Sequence, residues 1–102
     1  MKLLIVAAIK EYNETVGSIL KEASIPVFSI TDMTGIKNGV DTSLLDDWFS
    51  RGIGKFDSVF VFCFTTETNT ELALSLITKF NDKEGVAFPI RAFVLPVEKF
   101  LK

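Results

Sequence analysis

The sequence predicts an α+β domain of element order βαββαβ, and three observations predict it. Val59, Phe60, Val61, Phe62, Cys63 and Phe64 form an unbroken run of β-branched, aromatic and apolar residues, closed by Asp57-Ser58 before it and Thr65-Thr66 after it. Such a run reads as a central strand, apolar on both faces. A second run, Leu3, Leu4, Ile5, Val6, Ala7, Ala8 and Ile9, has the same two-sided character. Each run is followed by a stretch with helical periodicity and then by a more polar strand, so the chain reads as two strand-helix-strand halves.

The first helix is predicted over about 11–24, where Tyr12, Val16, Ile19, Leu20 and Ala23 share one side and Lys10, Glu11, Glu14, Lys21 and Glu22 fall mostly on the other. Asn13 is the expected N-terminal cap, and Ile25-Pro26 the expected stop, since proline disfavours helical geometry in the residue before it. The second strand is expected over 27–33, with Phe28 and Ile30 on one face and Ser29 and Thr31 on the other, as at a sheet edge. Residues 34–57 carry Gly35, Gly39, Gly52 and Gly54 and no clear period. They read as a long loop with Leu44, Leu45, Trp48 and Phe49 bunched beside Asp46-Asp47. A loop of this length in a small domain is usually functional. The alternative is a short helix, 42–50, packed on its own domain. After the central strand, Thr68-Asn69-Thr70-Glu71 has the pattern of a capping box. Leu72, Ala73, Leu76, Ile77 and Phe80 then form the expected buried stripe of a second helix ending near Asn81. Lys83-Glu84-Gly85 reads as a turn. The last strand, about 90–97, contains Pro96, which cannot donate to a ladder and so belongs at an edge.

Two central strands and two edge strands in this order define a ferredoxin-like sheet, 4-1-3-2, with both helices on one face. The other face then carries alternate residues of the two apolar runs with no helix to cover them. An oligomer that buries this face is the expectation.

Composition narrows the function. The 102 residues make one domain, 1–102, with a formal net charge of -2 and Lys and Arg scattered singly, which argues against a nucleic-acid or anionic-membrane surface. There is no His, the commonest general base and metal ligand, so neither a metal nor a hydrolytic site is expected. Cys63 is the single cysteine and reads as a small core hydrophobe. Met1-Lys2 and the apolar run behind it have no cleavage site and are too short to span a bilayer, so a cytoplasmic protein is expected.

The closing residues Phe93-Val94-Leu95-Pro96-Val97-Glu98 resemble the terminal strand of the PII signal-transduction family. The likeness continues backward: Met1-Lys2 and the first strand match, as do Val16, Leu20, Glu22 and Ile25 in the first helix, and Thr31-Asp32-Met33-Thr34-Gly35 is similar to the family's Thr-Glu-Val-Lys-Gly. Residues 36–56 have the position of the family's T-loop, the arm that engages target proteins. The resemblance implies a homotrimeric, non-enzymatic regulator. An adenine nucleotide would serve as effector in clefts between subunits, and the protein target, a membrane transporter, enzyme or regulator, would be held by the loop. Ligand contacts are then expected at Ser29, Gly35, Lys37, Phe88, Arg91 and Lys102, and the apolar bunch of the loop, Leu44, Leu45, Trp48 and Phe49, is expected to be a partner-docking patch ordered on binding, with Trp48 the anchor because Trp is enriched at binding hot spots.

The chain departs from the family in its glycine-rich phosphate segment. Glu84-Gly85-Val86-Ala87-Phe88-Pro89-Ile90-Arg91 keeps only Gly85 and a basic residue, Arg91; Phe88 and Ile90 replace glycines, and Pro89 removes an amide. A nucleotide held here would rely on apolar stacking near Phe88 with Arg91 on phosphate. The T-loop tyrosine that some members modify is missing, since Tyr12 is the only tyrosine. Two other classes stay open. One is a small enzyme of acylphosphatase type, which would need an arginine or amide cradle after the first strand, where this chain has Ala8-Ile9-Lys10-Glu11-Tyr12-Asn13. The other is a structural oligomer with no effector.

Overall fold

A computed structural model of the chain describes the backbone of residues 1–36 and 55–101, and the side chains of 1–34 and 57–101. Four strands, β1 (Lys2–Ile9), β2 (Ser29–Ile36), β3 (Lys55–Thr65) and β4 (Arg91–Pro96), form one antiparallel sheet in the order β2-β3-β1-β4. Helix α1 (Asn13–Glu22) follows β1, and α2 (Glu67–Asn81) follows β3. This is the ferredoxin-like arrangement expected from the apolar runs, with β2 and β4 at the edges. Pro96 sits in the edge strand β4, opposite Lys2.

Register decides which residues meet the helices. Directly opposed residues in an antiparallel ladder share a face, and successive residues alternate. Leu4 opposes Cys63 and Val94; Val6 opposes Val61 and Ala92; Ala8 opposes Val59. These residues pack under Val16, Leu20 and Ala23 of the first helical segment and Ala73 and Ile77 of the second, with Ile25 and Ile90 closing the ends of the core. Helices and sheet thus bury one contiguous apolar layer. Of the five residues expected on the α2 stripe, Leu72 is a correction: it is 43% exposed, and Thr70 is buried in its place, donating its hydroxyl to the Glu67 carbonyl at 2.6 Å.

Several element ends differ from the sequence reading. Residues 10–12 form a separate 3-10 turn, so α1 starts at Asn13 with Tyr12 at the cap position, and Asn13 does not cap through its side chain. The cap of α2 is Thr66, whose Oγ1 accepts from the Asn69 amide at 3.2 Å, so the helix begins before the Thr68 position of the expected capping box. Three threonines at alternate positions offered similar local chemistry, and the chain's exit from β3 selected the first. The strand pair β2-β3 also runs further than the alternation suggested: Thr34 opposes Asp57, Gly35 opposes Phe56 and Ile36 opposes Lys55, which shortens the loop expected over 34–57 at both ends.

Helix α1 stops two residues earlier than Ile25-Pro26 implies, and the cause is a Schellman turn. The Ser24 amide donates to the Lys21 carbonyl at 3.1 Å and the Ile25 amide to the Leu20 carbonyl at 2.8 Å, with Ser24 left-handed at φ 65. Leu20 and Ile25, both buried, supply the apolar contact that accompanies this turn. Glycine occupies a left-handed position without the Cβ penalty, so Ser24→Gly is expected to raise stability by about 0.5–1 kcal/mol. An upward shift of the urea midpoint at unchanged slope checks this; a downward shift would contradict it.

Candidate functional site

The second face of the sheet carries Leu3, Ile5, Ala7 and Ile9 of β1, Ser58, Phe60, Phe62 and Phe64 of β3, Arg91, Phe93 and Leu95 of β4, and Ser29, Thr31 and Met33 of β2, by the same register. Neither α1 nor α2 covers it. Phe64 is 59% exposed, Leu95 42% and Phe93 37%, while Phe60 and Phe62 lie half-buried with ring centroids 6.4 Å apart. Among the described side chains of this face, Arg91 is the only charged one, and it stands at the β4 rim opposite Ala7. Ser29 and Thr31 make the opposite rim. The face is thus apolar across β3, β1 and most of β4, with Arg91 at one corner and Ser29 and Thr31 along the β2 edge, and an apolar patch bordered by polar groups resembles a protein-protein contact.

Four of the six ligand residues implied by the resemblance fall among the described positions, and one chain does not bring them together. Ser29 opens β2 opposite Phe62, whereas Arg91 opens β4 opposite Ala7. They lie on opposite edges of the sheet with β3 and β1 between them, roughly 14 Å apart across the strands at the usual spacing and out of row along them. Gly35 is near the far end of β2, opposite Phe56. Phe88 is half-buried in the connection between α2 and β4, and Arg91, three residues further on, is half-buried at the strand start. Lys37, Lys102, Leu44, Leu45, Trp48 and Phe49 lie outside the described residues, as does the alternative helix 42–50.

Sequence reasoning missed Asn81, the last residue of α2. Its Nδ2 donates to the Ile90 carbonyl at 2.9 Å, and its Oδ1 accepts from the Ile90 amide at 2.8 Å. This two-bond clamp closes the connection 82–89, in which Gly85 adopts φ +88 with open space around its Cβ position. Periodicity carries no trace of such a clamp; an asparagine ending a helix just before a polar turn is the only local signal.

The segment after β1, where an acylphosphatase-type cradle would lie, is the 3-10 turn Lys10–Tyr12. The Lys10 ammonium points to the Asp32 carboxylate at 3.4 Å, an exposed pair of little energetic weight. Tyr12 instead packs edge-on against Phe80 at 5.1 Å. Among the described residues no group of three or more Cys, Asp or Glu side chains gathers as a metal site, and no helix is long and apolar enough to cross a membrane.

Cys63 is 4% exposed in the core, and burial pushes its thiol above its ordinary value of 9.0. A protonated buried thiol is a poor nucleophile, so a disulfide reagent is expected to label the native chain at least about a hundredfold more slowly than the urea-unfolded chain. The folded state holds this proton to higher pH than the unfolded state. The thiol's contribution to stability is therefore complete below pH 9.0 and declines as pH rises beyond it. Labelling at equal rates in the native and unfolded chains would contradict the buried placement.

No family model matches the chain, and no curated protein matches it.

Proposed function

We propose that the chain is a non-enzymatic, PII-like regulatory protein that works as a homotrimer and controls a protein target through its long loop. The observation that carries this reading is the uncovered apolar sheet face, with Ile5, Phe62, Phe64 and Leu95 in an almost uncharged centre. A face of this kind on a βαββαβ domain is relieved of water by further copies of the chain. Among the described side chains of this face Arg91 is the one cation, whereas a nucleic acid needs several. The terminal Phe93-Val94-Leu95-Pro96-Val97-Glu98 run supports the same family.

The separation of Ser29 from Arg91 fits an effector held between subunits. Side-by-side packing sets the β2 edge of one copy near the β4 edge of the next, so that residues too far apart within one chain face one cleft. The effector of this reading is an adenine nucleotide stacked near Phe88, with Arg91 on phosphate. The loop carries Leu44, Leu45, Trp48 and Phe49 to the target.

Light scattering combined with calorimetric titration tests this directly. At micromolar chain concentration the expected mass is three times the 11.3 kDa of one chain. Titration with ATP, ADP, AMP and a cyclic dinucleotide is expected to give at least one binding isotherm. A stable monomer would overturn the oligomeric reading. An intact trimer silent to every nucleotide would overturn the effector and leave regulation by protein contacts or a purely structural oligomer.

A further inference from the structure

The last rung of the β1-β4 ladder pairs Ala7 with Arg91. The next residue back along β4 is Ile90, which is 2% exposed and would face Ala8 if the ladder continued. Instead, both of its backbone polar groups are taken by one side chain: the Asn81 carboxamide donates to the carbonyl and accepts from the amide. An asparagine carboxamide has the donor and acceptor spacing of a peptide group, so Asn81 supplies the rung that β1 does not. At the near end, the connection is held by the Asp82 and Lys83 amides on the carbonyls of Thr78 and Phe80. Between these two anchorages Asp82, Lys83, Glu84 and Gly85 are exposed, and among the described residues no other hydrogen bond ties 84–89 to the rest of the fold.

We propose that Asn81 is the positioning residue of the 82–89 connection: its two hydrogen bonds to Ile90 set where the chain re-enters the sheet, and thereby where Phe88 and Arg91 are presented at the β4 edge. Releasing the clamp lets 84–89 open as a unit while the core stays closed. The exposed turn has little else to hold it, whereas Ile90 is buried against the core cluster. The consequence for effector binding rests on the proposed function; the clamp itself does not.

Hydrogen exchange on the full chain tests the clamp, with Asn81→Ala and Asn81→Asp as variants. Losing the carboxamide leaves the Ile90 amide with no partner, and in Asn81→Ala its protection factor is expected to fall by roughly ten- to a hundredfold. The Val6 and Val61 amides of the central ladder should keep theirs. In Asn81→Asp at pH 7, the carboxylate still accepts from the Ile90 amide but repels the Ile90 carbonyl instead of donating to it, so the clamp is weakened and protection falls by less than in Asn81→Ala. Once protonated, the same side chain donates to the carbonyl and accepts from the amide, as asparagine does. Protection at Ile90 is therefore expected to return as pH is lowered through the carboxyl range near about 4, relative to the wild-type chain at each pH. Unchanged protection at Ile90 in Asn81→Ala would overturn the proposal. So would equal losses at Ile90, Val6 and Val61, or no recovery on acidification.

Calorimetry with ATP supplies the second arm. If the wild-type trimer binds ATP, Asn81→Ala is expected to weaken binding by at least about tenfold at unchanged oligomeric mass. Unchanged affinity with an opened 84–89 segment would overturn the positioning role. A wild-type trimer that binds no nucleotide removes the effector reading, and exchange at Ile90 then decides the clamp by itself.

Discussion

Leu20→Ala is expected to lower the free energy of unfolding by about 3 kcal/mol, a large share of the 5–15 kcal/mol that holds a domain of this size together. Leu20 is fully buried and lies in the central cluster with Leu4, Val16, Val61 and Ala73. Truncation removes its transfer free energy and leaves a hole that helix and sheet cannot both close, because the sheet is held in register on both sides of Val61 and Leu4. The same side chain forms one half of the apolar contact that seals the Schellman turn at Ser24, so the end of α1 loosens together with the core. Leu72→Ala is the internal comparison, expected to cost less than about 1 kcal/mol because that side chain already meets water. Equal losses for the two leucines in urea denaturation at constant slope would show that the core has been assigned to the wrong face of the helices.

Phe64→Asp is expected to convert the proposed trimer into single chains at micromolar concentration. Phe64 lies on the uncovered sheet face in the row of Leu3, at the exposed end of a strand whose other face is sealed by Val59, Val61 and Cys63. A carboxylate there stays solvated in the separated chain and costs that chain little. In an assembly closed over this face it would be stripped of water with no cationic partner in its row. Association should weaken by at least about 3 kcal/mol, more than a hundredfold. Leu72→Asp places the same charge on an exposed apolar residue on the helical side and should leave the mass unchanged. Light scattering at a series of concentrations reads both variants. A Phe64→Asp protein that keeps the wild-type mass would remove the open face from the interface, and a Leu72→Asp protein that dissociates would move the interface to the helices.

What could be read locally was what repeats locally. The two-sided apolar runs marked β1 and β3 as central, and Pro96 together with the half-polar character of Ser29 and Thr31 marked the edges; these constraints fit a 4-1-3-2 order. The 3.6 period of Val16, Leu20 and Ala23 placed the buried stripe of α1, and the Ala73 and Ile77 pair placed that of α2. Errors gathered where several residues offer the same local chemistry. Thr66, Thr68 and Thr70 can each cap or turn a chain, and only the direction in which β3 delivers the chain makes Thr66 the cap and buries Thr70. Asn13 has the right side chain for a cap, but the 3-10 turn ahead of it leaves that position to Tyr12.

Sequence by itself thus determined the order of the elements, the apolar character of both faces of the central strands and the absence of histidine chemistry, because these follow from period and composition within a few residues of each position. Tertiary structure alone decided the register that extends β2 and β3 to Ile36 and Lys55, the rims on which Ser29 and Arg91 stand apart, the left-handed Ser24, and the Asn81 clamp on Ile90. Each of these depends on groups brought together from separate segments or on where a strand hands the chain to a turn. For the register, the rims and the Asn81 clamp, the partners lie in different segments; at Ser24 the turn is local, but its apolar seal between Leu20 and Ile25 is buried only when helix and sheet close the core.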